Sequence, residues 1–438
     1  MKVMKFGGTS VGSAARIKSM VELVRKEQNP FVVLSAMSGT TNSLISISNA
    51  LIAGNVGEAE ALISSLEEKY IDVTSELLSR EDLKEEGLAY VKSIFDSLRD
   101  YASRKHDDKL AKEVVSLGER LSTKLAVLYM KELGLNAIRL NALDFMKTDA
   151  DREPDQAYIR TRLTEIMGQN PGYDIYLTQG FICRNNDGEI DNLERGGSDY
   201  TASLIGAAID ADEIQIWTDI DGMHNNDPRF VEGTSPVSEL HFEEAAELAY
   251  FGAKILHPTC VKPAKSANIP VRLLNTMEPD APGTLIYNTN STHSIKAVAA
   301  KDNITAIKIK STDMLLAYGF LRKIFEIFEK YRTPIDMITT SEVGVSVTID
   351  NCGELDKIVE ELEEFGDVSV LTDMVIICVV GDLEWRNRGF EADVVNALKG
   401  IPVRMISYGG SNYNISLLIR KEDKVEALNL LSSSLFKK

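Results

Sequence analysis

At 438 residues the chain is too long for one ordinary core, and two or three domains are expected. Apolar residues make up 44% and charged residues 26%, a balance that argues for folded domains rather than disorder. A formal net charge of −18, from 48 basic and 66 acidic residues, offers no basic footprint, so no nucleic-acid partner is expected.

The apolar runs are short, such as residues 374–380, well under the roughly 20 residues that span a bilayer, so no membrane partner is expected. The opening MKVMKFGGTSVG reaches glycine and polar residues before an apolar leader region could form, so no signal peptide and a cytoplasmic location are expected. Cys183, Cys260, Cys352 and Cys378 are scattered without a CxxC, as are the five histidines. Reduced thiols and no protein-built metal site are the expectation.

Residues 3–6 form a short strand that runs into Gly7-Gly8-Thr9-Ser10, and a helical pattern follows over about 13–26. A second buried strand, 31–35, leads into the small-residue turn Ser38-Gly39-Thr40-Thr41. This order predicts an α/β domain with a mostly parallel sheet. Residues 43–133 read as almost continuous helix, with apolar residues at helical spacing. Strands return near 136–140, 174–178, 213–218 and 271–275; Pro279, Pro282 and Gly283 then punctuate the chain, and a domain boundary is placed near 290.

The remainder repeats. Strand 306–311, helix 319–332, strands 335–341 and 344–350, helix 355–365 and strand 368–371 make one βαββαβ unit. Strand 375–381, helix 390–398, strands 403–408 and 414–419 and helix 423–435 make a second that lacks its last strand. Residues 295–300 are the candidate to supply it, which would interleave the two modules: about 304–372, and about 373–438 plus 295–300.

Five motifs carry chemistry. In Lys5-Phe6-Gly7-Gly8-Thr9-Ser10 the glycines let backbone amides approach a phosphate, and a strand lysine can neutralise a transferring phosphoryl group. The spacing fits neither GxxxxGK[ST] nor GxGxxG. In Glu194-Arg195-Gly196-Gly197-Ser198-Asp199 the guanidinium suits a carboxylate and the amides suit an anion. The plain alternative is a helix with Ser198 or Asp199 as N-cap. Thr218-Asp219 ends a buried strand where open α/β sheets bind ligands, and Asp227-Pro228-Arg229 follows. Lys254 ends a helical run in FGAKILHP, and Glu119 lies in SLGERLS; each alone reads equally as a solvated helix charge.

Occurring together and in order, KFGGTSV, SLGERLS, ERGGSDYTA, WTDIDGM with DPR, and FGAKILHP resemble the aspartate kinases. The resemblance covers essentially the whole chain. It implies an amino-acid-kinase fold over 1–290, with a helical subregion at 43–133, followed over 291–438 by two ferredoxin-like ACT modules. It implies phosphoryl transfer from ATP to the side-chain carboxylate of L-aspartate, the first step towards lysine, threonine, methionine and diaminopimelate. Mg²⁺ should arrive with the nucleotide. By the same resemblance Lys5, Gly7, Gly8 and Asp199 serve the transferring phosphoryl group. Thr41, Glu119, Arg195, Gly196, Gly197 and Ser198 hold aspartate, with Arg195 on its α-carboxylate and Glu119 on its α-ammonium. Thr218, Asp219, His224, Arg229, Lys254 and Ile255 line the nucleotide; His224 stands where a tyrosine is expected in close relatives. Lysine is the expected feedback inhibitor, bound by Met314, Gly319, Phe320, Leu321, Asp336, Ser341 and Glu342, and a homodimer or higher oligomer is expected through the ACT region. The chain is expected to carry no fused homoserine dehydrogenase. Another amino-acid kinase of the same fold, or a non-catalytic amino-acid sensor, are the rival readings.

Overall fold

The computed structural model describes all residues except 102–106, 194–195, 253–256, 290–294, 312–317 and 437–438. Packing divides the chain into two units, Met1–Met223 with Ile255–Asn288, and His224–Lys254 with Thr289–Lys438.

Strand β1 (Lys2–Phe6) opens the first unit, and helix α1 (Ala14–Val24) follows, capped where the Ser13 hydroxyl accepts the Arg16 amide at 3.3 Å. The fully buried β2 (Phe31–Leu34) leads into α2 (Thr40–Ile52), α3 (Val56–Leu77), α4 (Glu81–Asp100) and α5 (Asp108–Glu132). The near-continuous helix expected over 43–133 is therefore four helices. Gly54, left-handed at φ 74°, ends the run of α2, and Asp107 starts α5 by accepting the Leu110 amide at 3.1 Å. Their apolar stripes meet around Tyr70, Phe95, Leu121 and Leu125, all buried.

The chain continues through β3 (Ala137–Arg139), α6 (Gln156–Gln169), β4 (Ile175–Gln179), the hairpin β5 (Ile182–Arg184) and β6 (Ile190–Asn192), α7 (Gly197–Ala208) and β7 (Glu213–Thr218). β8 (Glu239–His241) and α8 (Phe242–Tyr250) fall in the second unit. α9 (Pro258–Ser266), β9 (Val271–Asn275) and β10 (Thr284–Tyr287) complete the first.

The first unit's strands run in the order β3-β4-β2-β1-β7-β9-β10. Every neighbouring pair is parallel except β9–β10. Phe6, Leu34, Gln179, Thr218 and Asn275 therefore end their strands along one edge, the edge where open parallel sheets bind ligands.

In the second unit β11 (Ile295–Lys310), α10 (Phe320–Lys330), β12 (Ile338–Ser341), β13 (Gly344–Ile349), α11 (Leu355–Glu363), β14 (Asp367–Gly381), α12 (Phe390–Ala397), β15 (Met405–Ser407), β16 (Asn414–Arg420) and α13 (Lys424–Leu435) follow in turn. Their sheet is antiparallel in the order β12-β13-β11-β14-β16-β15. The strands expected as 295–300 and 306–311 are one strand, β11. Those expected as 368–371 and 375–381 are likewise one, β14. Register shifts near Lys301 and Ile304, with left-handed Asn303 and Asp373, bend the pair without ending it. Ile295 faces Gly381 and Ala300 faces Ile377, so residues 295–300 lie beside the opening strand of the second repeat. Two cores result, one around Ile307, Ile324, Val347 and Leu362, the other around Val375, Val394, Leu417 and Leu428.

The packing division differs from a single cut near 290, because residues 224–254 join the C-terminal half. The Asn226 amide donates to Leu428 O at 3.0 Å, and Lys296 pairs with the buried Glu244 at 2.9 Å.

Candidate active site

Lys5 lies on the central β1, opposite Val33 on one side and Ile216 on the other. Such a strand is buried on both faces, so a charge there needs a partner. Asp199 supplies it: Lys5 Nζ lies 2.6 Å from Asp199 Oδ1, and Lys5 is only 8% exposed. Just beyond, the Gly7 amide donates to Trp217 O at 3.1 Å, and Ser38 N donates to Gly8 O at 3.1 Å. A Cβ on Gly8 would sit 2.9 Å from Ala36 O, so only glycine lets the turn lie this close to β2.

The paired glycines before α7 work differently. Gly196 is left-handed at φ 74° and is itself the N-cap, so the plain alternative of a cap at Ser198 or Asp199 does not hold. Both stand in the helix's first turn, where Asp199 reaches Lys5 and Ser198 accepts a hydrogen bond from the Ser35 hydroxyl at 3.0 Å. A Cβ on Gly196 would meet Cys260 Sγ at 2.3 Å, and one on Gly180 would meet Ser198 Oγ at 2.3 Å. Burial, then the Asp199 charge, push the Cys260 thiol well up, so it serves as a neutral packing group. The Phe181 amide, on a residue at φ 67°, donates to Thr201 Oγ1 at 2.9 Å.

Glu119 belongs to α5. Gly118 beside it lets the helix touch β2's outgoing chain, since a Cβ there would lie 2.7 Å from the Ala36 Cβ. Glu119 Oε1 accepts the Ala36 amide at 3.1 Å, while Oε2 is buried with no donor among the described residues. Burial pushes the carboxyl up to about 7, against the smaller opposing effect of the Ala36 amide. Behind it, the Ser122 hydroxyl donates to Ser35 O at 2.8 Å. Thr41 stands half-buried in the first turn of α2, whereas Thr40 is buried and bonded to Tyr70 at 2.9 Å.

At the end of β7, Thr218 O accepts both the amide (2.8 Å) and the hydroxyl (2.9 Å) of Thr276, and Thr218 Oγ1 lies 3.1 Å from Asp219 Oδ1. The Ser10 hydroxyl meets that of Thr276 at 2.6 Å. In the second unit, His224 Nδ1 lies 3.0 Å from Thr234 Oγ1, and Arg229 is paired with Asp227 at 2.6 Å.

Gly319, left-handed at φ 79°, caps α10, with Phe320 buried and Leu321 on the surface. Ser341 ends β12 and Glu342 is exposed beside it. Asp336 is a correction: it precedes β12 rather than lying on or after it. Five extended residues, about 16 Å, separate it from Ser341. Arg195, Lys254, Ile255 and Met314 lie outside the described residues.

Lys5, Gly7, Gly8, Glu119, Ser198, Asp199, Thr218 and Asp219 thus gather at the sheet's carboxyl edge or on elements bonded to it. Sequence reasoning missed Ser35, Gly180 and Cys260. The signal for Ser35 and Gly180 was present, because each follows a buried strand directly at that edge.

Comparison with known proteins gives the same picture from outside. Residues 1–275 match the model of the amino acid kinase family, and residues 377–435 match an ACT domain. Aspartokinase 1, chloroplastic, of Arabidopsis thaliana is 36% identical over 99% of this chain and 80% of its own length. The crystal structure of E. coli aspartokinase III in complex with aspartate and ADP (R-state) superposes with TM-score 0.86 at 32% identity, covering 100% of both chains. The same enzyme in complex with lysine and aspartate (T-state) gives TM-score 0.80 at 33% identity over the same coverage.

Proposed function

Because the chain belongs to the amino acid kinase family, and within it to the aspartokinases, we propose that it transfers the γ-phosphoryl group of ATP to the side-chain carboxylate of L-aspartate. The products are 4-phospho-L-aspartate and ADP. The observation that carries this reading is the buried Glu119 carboxylate, with one oxygen awaiting a cation, on the same sheet edge as the Lys5–Asp199 pair.

The chemistry follows from the substrate. An aspartate side chain has a pKa of about 3.9, so the nucleophile is already ionised and no general base is required. The barrier is bringing one anion to another. Lys5, steered by Asp199, faces the transferring phosphoryl group, and the amides of the Gly7–Gly8 turn and of the first turn of α7 supply further positive ends. Arg195 takes the α-carboxylate, Glu119 the α-ammonium, and Ser198 orients the substrate with Thr41. Thr218, Asp219, His224, Arg229, Lys254 and Ile255 serve the nucleotide. Among the described residues no group of three acidic, histidine or cysteine side chains is arranged to hold a metal. A Mg²⁺ carried in by the nucleotide, its ligands mainly phosphate oxygens and water, would neutralise phosphate charge.

The domain reading is a catalytic region over 1–290 and a regulatory region over 291–438. Lysine is the proposed feedback inhibitor, supported by the solved complex of E. coli aspartokinase III with lysine and aspartate. Gly319 to Leu321 offer a helix start for its carboxylate, and Asp336, Ser341 and Glu342 offer acceptors for its ammonium groups. A homodimer or higher homo-oligomer is proposed through the same module, where β12 is an edge strand and Leu321 and Phe325 of α10 and Val343 after β12 are exposed. A cytoplasmic location is part of the same reading; no described helix is long and apolar enough to cross a membrane.

The test is ADP release with aspartate or glutamate as acceptor, then with lysine, threonine or methionine added up to millimolar levels. Turnover with aspartate and inhibition by lysine, lost in Glu342→Ala, is expected. Turnover with glutamate alone refutes the substrate, and inhibition by threonine alone refutes the effector.

A further inference from the structure

The turn that follows β2 carries the Ala36 amide that donates to Glu119 Oε1, and it ends in Thr40 and Thr41, the first residues of α2. Gly39 is the N-cap of α2, so this helix start has no side-chain cap of its own. The hold comes instead from α3, through two consecutive residues that no role above uses. Lys69 Nζ donates to Ser38 O at 2.8 Å, at the exposed end of the turn. One residue on, the Tyr70 hydroxyl lies 2.9 Å from Thr40 Oγ1. Tyr70 and Thr40 are both 0% exposed, so this second contact is dry. Among the described residues neither hydroxyl has another partner. Two buried hydroxyls that satisfy only each other locate their chains strictly, because a shift of either leaves both unpaired.

Thr40 is also seated against α5. A Cβ on Gly118, the residue before Glu119, would lie 3.2 Å from Thr40 Cγ2, so the two backbones have no spare room between them. Thr40 therefore stands between the phenol of α3 and the stretch of α5 that presents Glu119. The phenol is itself well anchored, since the Tyr70 ring packs on Phe95 of α4 with 6.1 Å between ring centres. Burial pushes the Tyr70 phenol well up, the Thr40 bond offsets part of that, and the Glu119 charge adds to the rise, so the hydroxyl keeps its proton at neutral pH.

We infer that Tyr70 is a positioning residue for the phosphoryl acceptor: its phenol, bonded to Thr40, fixes the first turn of α2 against α5 and so sets the spacing between Thr41 and Glu119. The inference rests on the proposed roles of Thr41 and Glu119 in holding aspartate. Tyr70 itself touches no ligand in this reading. A small misplacement of binding groups, caused from outside the site, is enough to weaken the hold on a substrate.

The experiment compares the full-length wild type with Tyr70→Phe and with the double variant Tyr70→Phe/Thr40→Val. Phenylalanine keeps the packed ring and removes only the hydroxyl, and valine then removes the stranded partner at nearly constant shape. Aspartate is titrated at saturating ATP, ATP at saturating aspartate, and each protein is melted. For Tyr70→Phe the expected result is a KM for aspartate raised about tenfold, the size of one hydrogen bond, with the KM for ATP within about twofold. Its melting temperature should fall by about 2–4 °C, because the Thr40 hydroxyl is left buried and unpaired. In the double variant the melting temperature should return to within about 1 °C of wild type, since both polar partners are gone, while the KM for aspartate stays raised. A wild-type KM for aspartate in Tyr70→Phe overturns the inference. So does a KM for aspartate that recovers together with the melting temperature in the double variant, or an equal rise in both KM values, since either reduces Tyr70 to a structural role. If the wild type turns over glutamate and not aspartate, the substrate reading fails, and the same comparison made with glutamate still decides the role of Tyr70.

Discussion

Replacing Glu119 by glutamine tests the substrate pocket through a property that only a buried, unpaired carboxylate has. Glu119 is 3% exposed, and its carboxyl is pushed from an ordinary 4.5 up to about 7. Between those two values the native state holds a proton that the unfolded chain has released. The unfolding free energy therefore falls as pH rises from about 4.5 to about 7 and levels off above. At about 1.4 kcal/mol per pH unit, ionised Glu119 costs the empty enzyme about 3 kcal/mol at pH 8. Glu119→Gln removes the ionisation, so its stability relative to wild type should rise by about 3 kcal/mol between pH 5 and pH 8.5 in urea titrations. Function should move the other way. The aspartate ammonium needs the ionised acid, so the KM for aspartate in the variant should rise at least tenfold while the KM for ATP stays near wild type. In the wild type, kcat/KM for aspartate should fall about tenfold per pH unit below pH 7. A stability difference that ignores pH, or a variant that uses aspartate normally, would refute the assignment.

Two further outcomes follow from the same edge of the sheet. Lys5→Ala should lower kcat at least about a hundredfold in a folded protein, because it removes the charge aimed at the transferring phosphoryl group; near-normal kcat would count against that role. Gly180→Ala drives a methyl group to 2.3 Å from Ser198 Oγ, so it should raise the KM for aspartate about tenfold and lower stability by about 1–3 kcal/mol, read from initial rates and thermal melts.

What could be read in the sequence depended on how far apart the cooperating residues lie. Lys5 with Gly7-Gly8, and Gly196 to Asp199, are local patterns, and their chemistry was legible in a dozen residues. Ser35, Gly180 and Cys260 reach Ser198 and Gly196 only because β1, β2 and β4 end at one level and α9 packs below. No single stretch of chain contains that coincidence. The alternative of an N-cap at Ser198 or Asp199 fails for a local reason: Ser and Asp are usual capping residues, but Gly196 takes the N-cap position with no side-chain cap and leaves both in the first turn.

The strand expected over 335–341 is shorter, and Asp336 stands just before β12, which begins at Ile338. There it pairs with Lys301 in the middle of β11, which also pairs with Asp350 just past β13. The long strands follow similar logic. β11 and β14 looked like two strands each because polar residues at 301–303 and 372–373 interrupt the apolar alternation. Those interruptions are bends within continuous pairing, marked by left-handed Asn303 and Asp373. A bend in a shared strand can pass a displacement from one module to the other, which two separate strands joined by a loop could not do. The bend in β11 begins at Lys301, which the Asp336 carboxylate and the Tyr250 ring hold in place.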